Sequence, residues 1–278
     1  MGKSNSGFVV FGSKFMELIF AFSFGMFGLA VGSFLNAAVY RLRIREIKSL
    51  FFGRSFCPFC KKILRIRDLI PLASFLLLRG KCRFCSKKIS AHYFWVEFFT
   101  ALAFGGVAAF TGFENLPLLT WNLFFTAVLI FLANFDFQFG EIPDEVSLPA
   151  SSLALAGSFL AFTPNFIVSL TGLLAGGGFF AAIVLISNGR WMGGGDIRMG
   201  LLLGALLGWQ GFVIAVFIAS FLGSVVGIIQ IIQKKKKLKS SLPFAPFLTI
   251  GGVAALVFGG EIWNWYLSFL GRFVGRRF

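Results

Sequence analysis

Four cysteines and a handful of carboxylates carry most of the chemistry this sequence can do. Cys57, Cys60, Cys82 and Cys85 form two CxxC hooks separated by 21 residues, close to the spacing of a four-thiolate zinc site. Zinc takes four tetrahedral ligands, and each CxxC turn presents two sulfurs to one ion. Such a centre is negatively charged, and Lys61, Lys62, Arg83, Lys87 and Lys88 beside the hooks would offset it. The role this implies is structural, a Zn²⁺ folding a loop too small to hold a core of its own. A catalytic zinc keeps one position open, which four cysteine ligands would close. Disulfides or free thiols are the alternatives, and a cytoplasmic loop argues against disulfides. His92 is the only histidine and reads as a helix-end residue rather than a ligand.

The 11 acidic residues can be sorted one by one. Glu17, Glu114 and Glu261 fall near predicted helix ends. Glu46 and Asp68 sit in a basic loop, where salt bridging or solvation is the default. Glu97 lies about one turn inside an apolar run. Asp136, Glu141, Asp144 and Glu145 form one cluster, and Asp196 follows Gly193-Gly194-Gly195 ahead of another apolar helix. Ionisable groups at membrane depth are costly and tend to be functional. Two carboxylates at a partly dry site share a proton. One then serves as general base on a water while the other protonates the carbonyl oxygen or the leaving amine. Asp136 and Asp196 are the candidates for this aspartyl-protease chemistry. Glu141, Asp144 and Glu145 fit ordinary charges at a wet interface equally well, or a surface that receives the Lys and Arg of a basic substrate.

The elements that must position these groups are membrane helices. Hydrophobic residues make up 57% of 278 positions and charged residues 13%, with a mean hydropathy of +0.85; a soluble domain would carry about 25% charged residues. Apolar runs suited to a bilayer core of about 30 Å lie near 15–39, 93–112, 117–135, 146–162, 166–187, 197–209, 212–233 and 243–260. The expectation is an all-α polytopic membrane protein of about eight transmembrane helices, with a zinc-binding cytoplasmic loop (41–92) between the first and second. The first run is too long for a signal-peptide core and lacks a small-residue cleavage site. The stretch from Glu261 to Phe273 reads as a helix lying in the interface. Of 26 Lys and Arg, 14 lie between Arg41 and Lys88 and five more in Lys234–Lys239. The positive-inside rule therefore puts loops 41–92, 136–145, 188–196 and 234–242 on the cytoplasmic side. Basic residues clustered beside apolar spans point to anionic membrane lipid as their neighbour, and the net charge of +15 is not taken to mean nucleic acid.

With these motifs in this order, the sequence resembles the type IV prepilin peptidases, a branch of the GxGD intramembrane aspartyl proteases. Gly32-Ser33-Phe34-Leu35-Asn36 with Tyr40-Arg41-Leu42 is similar to the family's N-terminal signature. Ser55 to Asp68, Ile70-Pro71 and Gly80 to Cys85 are similar to its zinc loop. Phe135-Asp136 with Ile142-Pro143-Asp144, then Gly193 to Asp196, resemble the segments of its two catalytic aspartates, and Pro243 to Phe247 a late helix signature. Arg43, Arg198 and Ala245 replace a usual proline, lysine and glycine, and the segment ending in Glu97 lacks a usual proline.

The resemblance implies a two-part, bifunctional enzyme of the bacterial cytoplasmic (inner) membrane. Residues 113–278 would form a six-helix peptidase. It would cut the basic leader from type IV prepilin or type II secretion pseudopilin precursors at the cytoplasmic face, with Asp136 and Asp196 catalytic. Residues 1–112 would hold a methyltransferase that uses S-adenosylmethionine on the new N-terminus, commonly phenylalanine. No GxGxxG follows a predicted strand, so no Rossmann site is visible. Gly32, Ser33, Asn36, Arg41 and Glu97 are the cofactor-binding candidates carried over by motif, although Gly32 and Ser33 equally fit helix-on-helix packing. Two rivals stand beside this reading. One is a peptidase without methylation. The other is a non-enzymatic scaffold or transporter with a zinc-ribbon loop, for which the internal repeats often seen in transporters are not evident.

Overall fold

Where lipid is the solvent, backbone N–H and C=O groups must be satisfied within helices or closed barrels. A computed structural model of the chain takes the helical solution. It describes residues 6–44, 55–233 and 243–274; Glu46 and the Lys234–Lys239 cluster lie outside the described residues. The helices are α1 (Ser6–Arg43), α2 (Ala73–Leu77), α3 (Ala91–Thr111), α4 (Leu116–Phe139), α5 (Asp144–Ala156), α6 (Phe166–Ser187), α7 (Gly194–Ile232) and α8 (Ala245–Val274). Among the described residues the only strand-like pairing is two isolated bridges in the loop before α3, Phe56 with Ile63 and Lys81 with Lys88. Six helices, α1, α3, α4, α6, α7 and α8, are long and apolar enough to cross a membrane. The chain is an all-α membrane protein, as its sequence leads one to expect.

Three expected runs take a modified form. At a rise of 1.5 Å per residue, the 39 residues of α7 would span about 58 Å, nearly twice a bilayer core. The helix is broken at Gly208 (φ 68°, ψ 176°), so 194–207 and 209–232 stand for the two runs expected at 197–209 and 212–233. The left-handed φ there is one that glycine adopts without penalty. The run at 146–162 becomes the 13-residue α5 followed by a 3₁₀ turn at Gly157–Leu160. At the C-terminus, α8 continues without interruption through Glu261–Phe273. Its extension is held by side chains, because Trp263 meets Trp209 edge-on at 5.2 Å. Ile262 and Trp263 also lie against the buried Ile214, Ala215 and Ala255.

The chain forms two compact units that divide between Phe131 and Leu132, inside α4. In the first, α1 lies along α3. In the second, α7 is the hub, touching α5, α6 and α8, and its Met199, Leu202 and Leu203 are wholly buried. The α6–α7 seam is backbone on backbone. A methyl added at Gly204 would overlap the backbone of Gly172, and one at Gly172 would sit 2.6 Å from the carbonyl carbon of Gly208. Small residues allow this approach, which substitutes dispersion contact for the hydrophobic force that lipid does not supply. Gly204→Ala is therefore expected to lower stability by about 2–3 kcal/mol, the upper range for overpacking. Gly106→Ala, whose methyl meets nothing within 4 Å, should leave it equal or slightly raised. Unfolding midpoints in detergent check both, and equal midpoints for the two variants would refute the tight seam.

Candidate functional site

The cysteine loop is built from two copies of one turn. In each hook the first cysteine's N–H bonds to a carbonyl five residues on, Cys57 to Lys62 at 3.0 Å and Cys82 to Lys87 at 2.9 Å. Its carbonyl in turn accepts from the fourth residue on, Lys61 or Ser86, at 2.9 Å in both hooks. Those two residues take positive φ, 57° and 56°, which bends each turn so that both sulfurs face inward. Lys62 reaches over the Phe84 ring of the second hook at 5.3 Å, and Lys87 over the Phe59 ring of the first at 5.4 Å. These crossed cation–π contacts bring basic charge to the sulfur cluster.

One sulfur from each cysteine lies within 4.8 Å of all the others, and Cys57 and Cys85 are 3.9 Å apart. Zinc with four bonds of about 2.3 Å spaces tetrahedral sulfurs about 3.8 Å apart, so the donor set fits that ion. The acid–base chemistry of the thiols agrees. Burial opposes ionisation of Cys57, but the backbone N–H groups of Cys60 and Phe59, with Cys82 and Cys60, bring it down to about 7. At Cys85 the Lys87 amide favours the thiolate, but burial and the other three sulfurs push it up to about 11. One thiolate forms readily, and a full set calls for a cation among them.

Beside this loop lies a cavity of about 420 Å³ within the first unit, lined from α1 by Ser33, Asn36 and Arg41, and from α3 by Tyr93 and Glu97. Four of the five residues carried over as cofactor-binding candidates thus line one space. Gly32 lies behind them: its Cβ would sit 2.8 Å from the Glu97 Cα, so its smallness lets α1 and α3 meet. Asn36 is buried and donates to the Tyr93 carbonyl at 3.2 Å. Glu97 accepts the Leu72 N–H at 2.8 Å and a bond from the Ser33 hydroxyl.

Asp68 also lines the cavity, with its side chain only 2% exposed and Arg83 at 2.7 Å. It accepts the Arg65 N–H at 3.2 Å as well, which fastens the middle of the loop to the second hook. This is the salt bridge expected of an acid in a basic loop.

The aspartates belong to the second unit. Asp136 is in the last turn of α4, half-buried, and its carboxylate accepts the N–H of Ala245 at the start of α8. Asp196 is in the first turn of α7, half-buried, and accepts the N–H of Gly193. The two carboxylates interact electrostatically with each other. A methyl at Gly195 would sit 3.2 Å from Ile142, so the short connection from α4 to α5 lies directly on the first turn of α7. Asp144 is gripped by both prongs of Arg198, Nε to Oδ1 and Nη2 to Oδ2, the latter at 2.7 Å. This planar, charge-assisted pairing joins the first residue of α5 to α7, two residues beyond Asp196. Glu141 and Glu145 are exposed nearby.

Residues 26–111 match the family model described as the bacterial peptidase A24 N-terminal domain, and residues 123–228 match that of the type IV leader peptidase family. The chain belongs to the type IV leader peptidase family. Its relatives include prepilin leader peptidase/N-methyltransferases from three organisms. That of Aeromonas hydrophila is 34% identical, covering 91% of this chain and 94% of the relative. That of Legionella pneumophila is 33% identical, covering 88% and 93%. That of Bacillus subtilis is 31% identical, covering 87% and 96%. No solved structure gives a significant match.

The match to the N-terminal domain covers the thiol cluster and the cavity, and the match to the peptidase family covers Asp136, Asp144 and Asp196. Sequence reasoning did not single out Leu72 or Tyr93 as site residues, nor pair Arg198 with Asp144. The signal for the last was partial: Arg198 lies two residues after Asp196 at the start of α7, on a different side of the helix.

Proposed function

We propose that this peptidase cuts the basic leader from type IV prepilins or pseudopilins at the cytoplasmic face of the bacterial inner membrane, with Asp136 and Asp196 as the catalytic pair. The observation that carries the reading is two half-buried aspartates in electrostatic contact, each oriented by a backbone N–H. One carboxylate takes a proton from a water held between them. The resulting hydroxide adds to the scissile carbonyl carbon while the other aspartate protonates the carbonyl oxygen. The tetrahedral adduct then collapses, and the leaving amine takes a proton from the pair. Asp144 and Arg198 hold the first turn of α7 beside the connection from α4. Cleavage of a basic-leader prepilin in liposomes tests the reading, and full activity in Asp136→Asn would overturn it.

Glu141 and Glu145 are exposed acids on an otherwise basic face, suited to the leader's Lys and Arg. Exposed ion pairs contribute about 0.2–1 kcal/mol each. Glu141→Gln with Glu145→Gln is therefore expected to raise KM for a basic-leader substrate about two- to thirtyfold at low salt, with little effect at high salt. A KM unmoved at low salt would remove these residues from leader recognition.

The first unit is assigned to N-methylation of the new N-terminus. The cavity and its polar lining support this, together with the relatives' names. S-adenosylmethionine would supply an electrophilic methyl group on a sulfonium. Arg41 offers a guanidinium for the donor's carboxylate, and Tyr40, Phe56 and Phe94 offer faces for its adenine. Cys57, Cys60, Cys82 and Cys85 would hold a structural Zn²⁺ that fixes the loop forming one wall.

A further inference from the structure

We infer that Glu97 receives the α-amine of the processed substrate and takes its proton, and that a strained turn at Pro71–Ala73 is built to aim it; this rests on the methyltransferase reading of the cavity.

The cavity offers two carboxylates, and they are not in the same state. Asp68 is already neutralised by Arg83 at 2.7 Å and closed from solvent. Glu97 has two partners among the described residues, the Leu72 N–H at 2.8 Å and the Ser33 hydroxyl, and both are neutral. A carboxylate withdrawn from water without a cation is a place for one to bind. Methyl transfer brings two cations, the donor's sulfonium and the substrate's ammonium. Only the ammonium donates hydrogen bonds to a carboxylate, and only it must lose a proton before it can attack. An α-amine with an ordinary pKa of about 7.7–8.0 is mostly protonated at neutral pH, so the reaction needs an acceptor at this spot.

The backbone facing Glu97 points the same way. Leu72 has φ 57° and ψ −50°, and the Ala73 N–H bonds back to the Pro71 carbonyl at 2.5 Å. This is the γ-turn of positive φ, a rare and strained form, held by a leucine where glycine would be the easier choice. Strained backbone persists where the surrounding structure enforces it, and it gathers at functional sites. Here its effect is to direct the Leu72 N–H onto Oε2 of Glu97, which fixes the carboxylate from the loop side while Ser33 holds it from α1.

In the step itself, the ammonium gives one proton to Glu97. The freed lone pair attacks the sulfonium methyl carbon, the N–C bond forms as the S–C bond breaks, and the electron pair leaves on sulfur as a neutral thioether. Glu97 then passes its proton to water.

The test uses the full chain in detergent. Two readouts are compared for wild type, Glu97→Gln and Glu97→Asp: single-turnover methylation of a cleaved pilin, and equilibrium binding of a synthetic phenylalanine-first peptide with a free or an acetylated N-terminus. Wild type is expected to prefer the free amine by at least about tenfold. Glu97→Gln should lose that preference and about 10²-fold or more in methylation rate, the range for a general base, and Glu97→Asp should recover part of both. A Glu97→Gln protein that keeps the amine preference, or methylates within about threefold of wild type, overturns the assignment of Glu97 alone. A wild type that neither binds radiolabelled S-adenosylmethionine nor methylates overturns the methyltransferase reading, and this assignment with it.

Discussion

Asp136→Asn and Asp196→Asn are each expected to reduce kcat for leader cleavage by about 10³-fold or more, and the double variant to be no worse than either single one. Asparagine keeps the size and the acceptor oxygen that meet Ala245 or Gly193, so the fold around each site is preserved. It cannot take up and return a proton. General acid or base catalysis contributes about 10²–10⁴-fold, and residues that act as one unit fail together rather than additively. Asp144→Asn should fall in another class. It releases Arg198 from the first turn of α7 and should leave a slower enzyme that still turns over. Quantitative cleavage in liposomes, followed by mass of the product, separates these outcomes. If Asp144→Asn were as inactive as Asp196→Asn while Asp136→Asn kept most of its rate, the pair would have to be redrawn as Asp144 with Asp196.

Replacing the cysteines that would hold the proposed zinc is the second change with a large expected effect. Structural zinc sites in small peptides bind with about 10–16 kcal/mol, more than the described cysteine loop is able to supply by itself. Among its described residues the only strand-like pairing is two isolated bridges, its α-helix is the five-residue α2, and Ile66, Leu76 and Leu77 are exposed. Wild-type protein should contain one zinc per chain by elemental analysis, and Cys82→Ser close to none. The variant's loop should become sensitive to limited proteolysis between the hooks, and methylation of a cleaved pilin should fall at least about tenfold, because Phe56, Cys57, Cys82 and Arg83 form part of the cavity wall. A protein with all four cysteines replaced that stayed protease-resistant and methylated normally would show that the loop folds without metal.

Much of this architecture is legible in the chain because lipid imposes simple rules. Apolar runs and CxxC spacing report the helices and the clustering of the four sulfurs directly. The deviations come from contacts that a one-dimensional pattern does not encode. Gly208 looks like one more small residue in an apolar stretch, and only its left-handed φ reveals the break. Trp209 and Trp263 are 54 positions apart, and their contact carries α8 past the point where hydropathy would end it. Arg198 reads as a conservative exchange for lysine, yet its fork holds both oxygens of Asp144, which a point charge would not do in the same way. Leu72 carries no chemical group that invites attention. Its importance lies in a backbone angle, and Ile70-Pro71 ahead of it is the only hint in the sequence.

The two cysteine hooks repeat one turn on either side of the sulfur cluster. Residues 56–63 superpose in pattern on 81–88, with the same bridge, the same positive-φ corner and exchanged lysine–phenylalanine contacts. The side chains differ at four of the eight positions, and at one of them Pro58 in the first copy corresponds to Arg83 in the second. Proline has nothing to extend, whereas Arg83 captures Asp68. That difference fastens the second hook, and not the first, to Asp68 in the middle of the loop, while both hooks line the cavity. Transplanting the first hook's sequence into the second position would therefore keep every sulfur while leaving the buried Asp68 without its guanidinium.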